Sequence, residues 1–149
     1  MKKIIEATVR ITSVIQNLDA NGLTDGEPEK SESRATGFLH YSDEGALITY
    51  TESTESGNLT SEIELTDGKV RVRRSGAIES ELIFEEGVTH TSLYRIPPYA
   101  FDAAVTAKKI RRDLNADGGS LDLHYKMSIG GADKAARMSI WICPSSKQA

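Results

Sequence analysis

The chain has one cysteine in 149 residues, four prolines, three phenylalanines and a single tryptophan, and each shortage excludes something. One thiol cannot close an internal disulfide, so Cys143 points to a reduced setting and reads as a small packed residue. No apolar run approaches the roughly 20 residues that a membrane-crossing helix needs. The opening stretch MKKIIEATVRITSV is broken by Glu6, Thr8 and Arg10 before a signal-like apolar region develops. A cytoplasmic protein with no membrane partner is the expectation. Serine-nucleophile elbows, phosphate loops and dinucleotide glycine patterns are missing as well, and His40, His90 and His124 lack the spacing of zinc ligands. The expectation is therefore no metal, no cofactor and no enzymatic activity.

Charge of one sign is also scarce. The net charge of -4 is concentrated in residues 17 to 33, NLDANGLTDGEPEKSES, which hold five acids and one base and leave the remainder neutral. This composition reads as a long acidic loop over 17–33. The basic run KVRVRR (Lys69, Arg71, Arg73, Arg74) has a companion in Lys108, Lys109, Arg111 and Arg112, yet no aromatic is interleaved for base stacking and only 6% of residues are aromatic. No nucleic-acid partner is expected.

What the chain does have is punctuation and alternation. Gly45, Gly57, Gly68, Gly76, Gly87, Gly118–Gly119 and Gly130–Gly131 separate runs of about eight to twelve residues, the spacing of an all-β protein. Within the runs the period is two. Ile5, Ala7, Val9, Ile11 and Ile15 share one face against Glu6, Thr8, Arg10 and Thr12, and Leu121, Leu123, Tyr125, Met127 and Ile129 do the same against Asp122, His124, Lys126 and Ser128. TDGK at 66 to 69 is a hairpin turn. YAFDAAVTAKKIRRDL, 99 to 114, has helix-friendly alanines, but Val105, Thr106 and Ile110 before a glycine-rich turn favour a long strand. Such one-sided strands hide their apolar faces by closing on themselves. The expected architecture is all-β, one domain over 1–149, a single antiparallel meander of eight to ten strands closed into a barrel.

Several polar side chains share phase with apolar neighbours. Arg74 follows Val70 and Val72, so a regular strand points it into the barrel or over its mouth, whereas loss of register at Ser75–Gly76 would turn it to solvent. Arg71 and Arg73 face outward, where Glu79 and Glu81 across the turn could pair with them. Tyr41, Tyr50 and Tyr125 are inward as core filling or as hydroxyl donors. Lys109, in phase with Val105 and Ala107, is a further inward candidate.

The stretch GKVRVRRSGAIESELIFEEGVTHTSLYRIPPYAF, followed by AVTAKKI, GGSLDLHYKMSIGG and MSIWI, resembles the YwiB-like family of uncharacterised bacterial proteins over most of residues 34 to 143. Its marks here are RSG at Arg74 to Gly76, Phe84 with Gly87, Tyr94 before a proline, Thr106, and GSLDLHY at 119 to 125. Where relatives are expected to carry a Thr-Pro-Tyr-Gly-like segment, this chain reads Ile96, Pro97, Pro98, Tyr99. The family is similar to calycins, so the resemblance implies a lipocalin-like barrel with a cavity and no established activity. The functional expectation is non-enzymatic binding of an unidentified small molecule by Arg74, Tyr125, Tyr94 and Tyr50. The alternative is an interaction scaffold using the basic strands or the acidic loop, with a homodimer left open.

Overall fold

The computed structural model describes residues 2–145, so residue 1 and residues 146–149 of the expected 1–149 domain lie outside the described residues. Ten strands follow one another: β1 (Lys3–Asn17), β2 (Glu29–Ser42), β3 (Gly45–Thr54), β4 (Gly57–Thr66), β5 (Lys69–Gly76), β6 (Glu79–Phe84), β7 (Thr89–Ile96), β8 (Tyr99–Asn115), β9 (Gly118–Ile129) and β10 (Ala132–Pro144). Each pairs antiparallel with the next, and β10 returns to β1, where Val9 stands opposite Ile142 and Ile11 opposite Ile140. The barrel is closed. Every strand then has two neighbours, and the sheet has no free edge to template aggregation. The alanine-rich 99 to 114 segment is a strand as expected, because Ala103, Val105 and Ala107 are all buried in one phase.

The two-residue period sorts the side chains. Val9, Leu39, Ile48, Ile63, Val70, Val72, Phe84, Val105, Leu121, Leu123 and Ile140 point inward and are almost wholly shielded from water. Each such side chain contributes roughly 1.5–3 kcal/mol when fully buried. The tight turn between β4 and β5 works because Gly68 adopts φ 76°, a region that side chains with Cβ rarely enter. On the outer face of that hairpin, Arg71 pairs with Glu64 and with Glu81 (3.3 Å), and Arg73 with Glu62 (3.5 Å) and Glu81 (3.6 Å). The basic run is one rung of a charge ladder across three strands. Glu81 takes part as expected, whereas Glu79 stands opposite Arg95 on β7.

Three expectations change. The acidic segment is a loop only over residues 18–28, because β1 runs to Asn17 and β2 begins at Glu29. Arg10 Nε donates to Glu32 at 2.7 Å, so an acid that looks loop-like by composition is a cross-strand partner. Within the loop, Asp19 Oδ1 accepts the backbone N–H groups of Asn21 and Leu23, which shapes the turn. Lys109 faces outward, because a β-bulge at Lys108 inserts one residue between Ala107, opposite Tyr125, and Lys109, opposite His124. Glu86 Oε2 accepts the Ile110 N–H beside the bulge at 2.7 Å. Cys143 is exposed, being outward of Ile142 in the alternation.

Candidate functional site

The barrel has a near end, where β1 starts, and a far end, which carries the β1–β2, β3–β4, β5–β6, β7–β8 and β9–β10 connections. Along five strands the register aligns Tyr50, Ser61, Arg74, Ser80 and Tyr94 as directly opposed residues, from β3 to β7. All five lie in the inward phase. They form one polar row crossing an otherwise apolar interior, on the far-end side of Ile63, Val72 and Leu82.

Arg74 is the centre of that row. Its phase holds because β5 keeps its register to Gly76, which stands opposite Leu59. A Cβ at Gly76 would lie 2.1 Å from the Asn58 carbonyl oxygen, so glycine is what lets the strand stay paired up to the turn. The solvent-facing alternative for Arg74 is thereby removed. Lys69, Arg71 and Arg73 each pair with a carboxylate. Arg74 has no such partner among the described residues, and its Nε is buried without a hydrogen bond. A buried donor left unmatched costs about 1–3 kcal/mol, more for a charged group.

The phenols gather around it. Tyr50 is 4% exposed and Tyr125 5% exposed, and burial pushes both hydroxyl pKa values up, while the Arg74 guanidinium pulls both down. Tyr50 also lies beside the Ser61 hydroxyl, close enough for it to favour the phenolate, although Ser61 Oγ makes no hydrogen bond of ordinary geometry. Tyr94 acts on Tyr125 and packs against the core. Phe84 meets the Tyr125 ring edge-on at 4.8 Å, fixing it from below. The structure thus brings Arg74, Tyr125, Tyr94 and Tyr50 into one electrostatically linked group. Ser61 and Ser80 belong to it and were overlooked in the sequence, although Ser61 shares phase with Leu59 and Ile63, and Ser80 with Leu82 and Phe84.

The near end is different. Arg112 is in phase with Ile110 and Leu114, and its guanidinium donates to the carbonyls of Thr66 and Lys69, the latter at 3.0 Å. A cleft of about 500 Å³ there includes Arg112 in its wall, but that cation is already engaged. The three histidines remain apart: His90 Nε2 is 3.0 Å from Glu85, and His124 Nε2 is 3.4 Å from Asp122 on the outer face.

These features define a closed ten-stranded antiparallel β-barrel protein with a polar row toward one end. The chain belongs to the family described as Domain of unknown function (DUF1934), whose model matches residues 13–142. It is 27% identical over 130 residues to the uncharacterized β-barrel protein YwiB of Bacillus subtilis (strain 168), covering 87% of each chain. The crystal structure of ywiB protein from Bacillus subtilis superposes with a TM-score of 0.82 at 25% identity, over 96% of this chain and 94% of that one.

Proposed function

We infer that this barrel is a non-enzymatic binder of a small molecule, held toward its far end by Arg74, Tyr50, Tyr94 and Tyr125. The observation that carries the reading is the buried, unmatched Arg74 Nε in a ring of hydroxyls. A guanidinium there offers donors in a fixed fork, suited to a carboxylate or phosphate oxygen. Small closed barrels commonly hold one small ligand, and convergent polar groups in an apolar frame are what such sites use for orientation. Nucleophilic catalysis asks for a base beside a nucleophile, whereas phenols, serines and one fixed charge suit recognition.

The scaffold alternative draws on the exposed basic strands, but Arg71 and Arg73 are already occupied by Glu62, Glu64 and Glu81. A cytoplasmic setting accords with the exposed single thiol and with ion pairs covering the outer face, where a membrane barrel carries apolar side chains. Native mass spectrometry of the chain after exposure to a metabolite extract tests the binding. A discrete adduct on the wild type that Arg74→Gln does not carry supports it. An adduct equal on both, or none, counts against it.

A further inference from the structure

The β7–β8 hairpin extends beyond the polar row and turns through the cis Pro97–Pro98 peptide. Its register pairs Tyr94 with Phe101 and Ile96 with Tyr99, so the four share the phase of buried Ala103 and Val105. That parity assigns them to the inner side of the sheet, on the far-end side of the row that holds Arg74. Yet Ile96 is 42%, Tyr99 65% and Phe101 37% exposed, and the Tyr99 and Phe101 rings lie nearly parallel, 26° apart, with centroids at 6.5 Å. Gly130 sits against Phe101, where a Cβ would be 3.1 Å from the ring, so the neighbouring β9–β10 turn supports Phe101 from its flank. Exposed apolar side chains of inner parity thus lie further along the same end as an arginine that makes no ion pair among the described residues.

The rim limits the charge that can enter. Its inward-phase charged residues are Glu29, Glu52 and Lys134, and the Lys134 ammonium already donates to Asn17 Oδ1 at 2.7 Å. Those three sum to a single negative charge, which together with Arg74 makes the inner face of this end neutral. A dianion would face two carboxylates for one matched cation.

Resting on the reading of Arg74 as a ligand site, we propose that the ligand is an amphipathic monoanion: one carboxylate forked by Arg74 and bonded by the surrounding tyrosine hydroxyls, with a flat apolar body against Ile96, Tyr99 and Phe101. The phenols serve as neutral donors, since burial keeps Tyr50 and Tyr125 protonated well above neutrality. Charge fixes the head and stacking fixes the body.

Proton–nitrogen correlation NMR on the full chain tests this with four probes: naphthoate, acetate as the head alone, naphthylmethanol as the body alone, and naphthyl phosphate as the dianion. Naphthoate is expected to shift the Arg74 Nε–H signal and the Tyr99 and Phe101 amides saturably, binding at least about tenfold tighter than the other three. Arg74→Gln is expected to weaken it about tenfold or more, Arg74→Lys less, and Tyr99→Ser, at an exposed position, about threefold. Thermal unfolding of each variant confirms that it is folded. Acetate binding as well as naphthoate overturns the apolar body. Naphthylmethanol binding equally, unaffected by Arg74→Gln, overturns the anion. Tighter naphthyl phosphate overturns the single charge. If no probe moves Arg74, this ligand class is rejected; an Arg74-dependent adduct by mass spectrometry would leave the binding site standing, and its absence would remove both.

Discussion

Arg112 and Arg74 lie on the same inner face of one sheet, at opposite ends of the barrel, and differ in what they bond. Arg112 reaches across the near end to the Thr66 and Lys69 carbonyls and ties β8 to the β4–β5 turn. Arg74 has Tyr50, Tyr125 and Ser61 around it, no carboxylate, and a buried Nε without a partner. Register puts both in the inward phase, Arg112 only because of the bulge at Lys108. The near-end arginine ties backbone carbonyls of neighbouring strands, whereas the far-end arginine leaves one buried donor unmatched. A half-buried guanidinium with an unmatched Nε stands where folding alone would favour an apolar side chain, which is the pattern expected of a group kept for recognition.

The comparison breaks most severely at the apolar plug beneath the polar row. Phe84 is fully buried and packs on Tyr125, so Phe84→Ala is expected to lose about 3–5 kcal/mol in urea unfolding. The arginines themselves come next and should move in opposite directions. Arg112→Met strands two carbonyls and is expected to lose about 1–2 kcal/mol, because the exposed site lets water replace part of what is lost. Arg74→Met removes a guanidinium whose Nε is unmatched, giving up its contact with the Tyr50 hydroxyl while keeping its length, and is expected to be neutral or to gain about 1 kcal/mol. Equal losses in both variants would mean that Arg74 is as structurally engaged as Arg112.

Alkaline titration sharpens the same contrast. Tyr50 and Tyr125 have pKa values raised above 10.0, first by burial, with Arg74 acting in the opposite direction. The unfolded chain therefore loses these protons first. The stability this represents is complete below 10.0 and is lost as pH rises through the folded values. Arg74→Met takes away the charge that moderates both shifts, so its urea midpoint should fall more steeply above that pH than the wild type's. Arg112→Met should not change the slope. On the acid side, burial raises the Asp122 pKa, but hydrogen bonds from Arg137 and Ser139 and the Arg137 charge outweigh it and leave it below 3.8. That contribution is present above 3.8 and lost as pH falls through the folded value, and Asp122→Asn should flatten the acid limb.

The fold was legible because the period of two is uninterrupted on most strands, and closure follows once ten strands each have one apolar face. Arg74, Tyr50 and Tyr125 were legible for the same reason, each being a polar residue in an apolar phase. Lys109 was not, because the bulge at Lys108 shifts the phase by one, and Glu86, 24 positions from Ile110, bonds the strand there. The end of the acidic loop was not, because an outward strand face and a loop have the same composition; Glu32 is placed by Arg10 on another strand. Tyr99 and Phe101 carried a signal that went unused: they share parity with Ala103 and Val105, and strand length decides whether that parity is still inside the barrel.

The smallest expected effect concerns the basic run on the outer face. Arg71 and Arg73 are 39% and 52% exposed in their side chains, and each has acids on both flanking strands. Exposed pairs contribute about 0–1 kcal/mol and are screened by salt. Arg73→Gln is therefore expected to change the urea midpoint by less than about 1 kcal/mol, with the difference shrinking at high salt, and to leave naphthoate affinity unchanged. Arg74→Gln, one residue along the same strand, should do the reverse: little change in stability and a large loss of ligand. If Arg73→Gln instead weakened the ligand, the boundary between the outer charge ladder and the inner polar row would be drawn in the wrong place. With the row intact, adjacent arginines on one strand differ because the pleat sends one to a carboxylate ladder and the other to an inner face where no carboxylate among the described residues pairs with it.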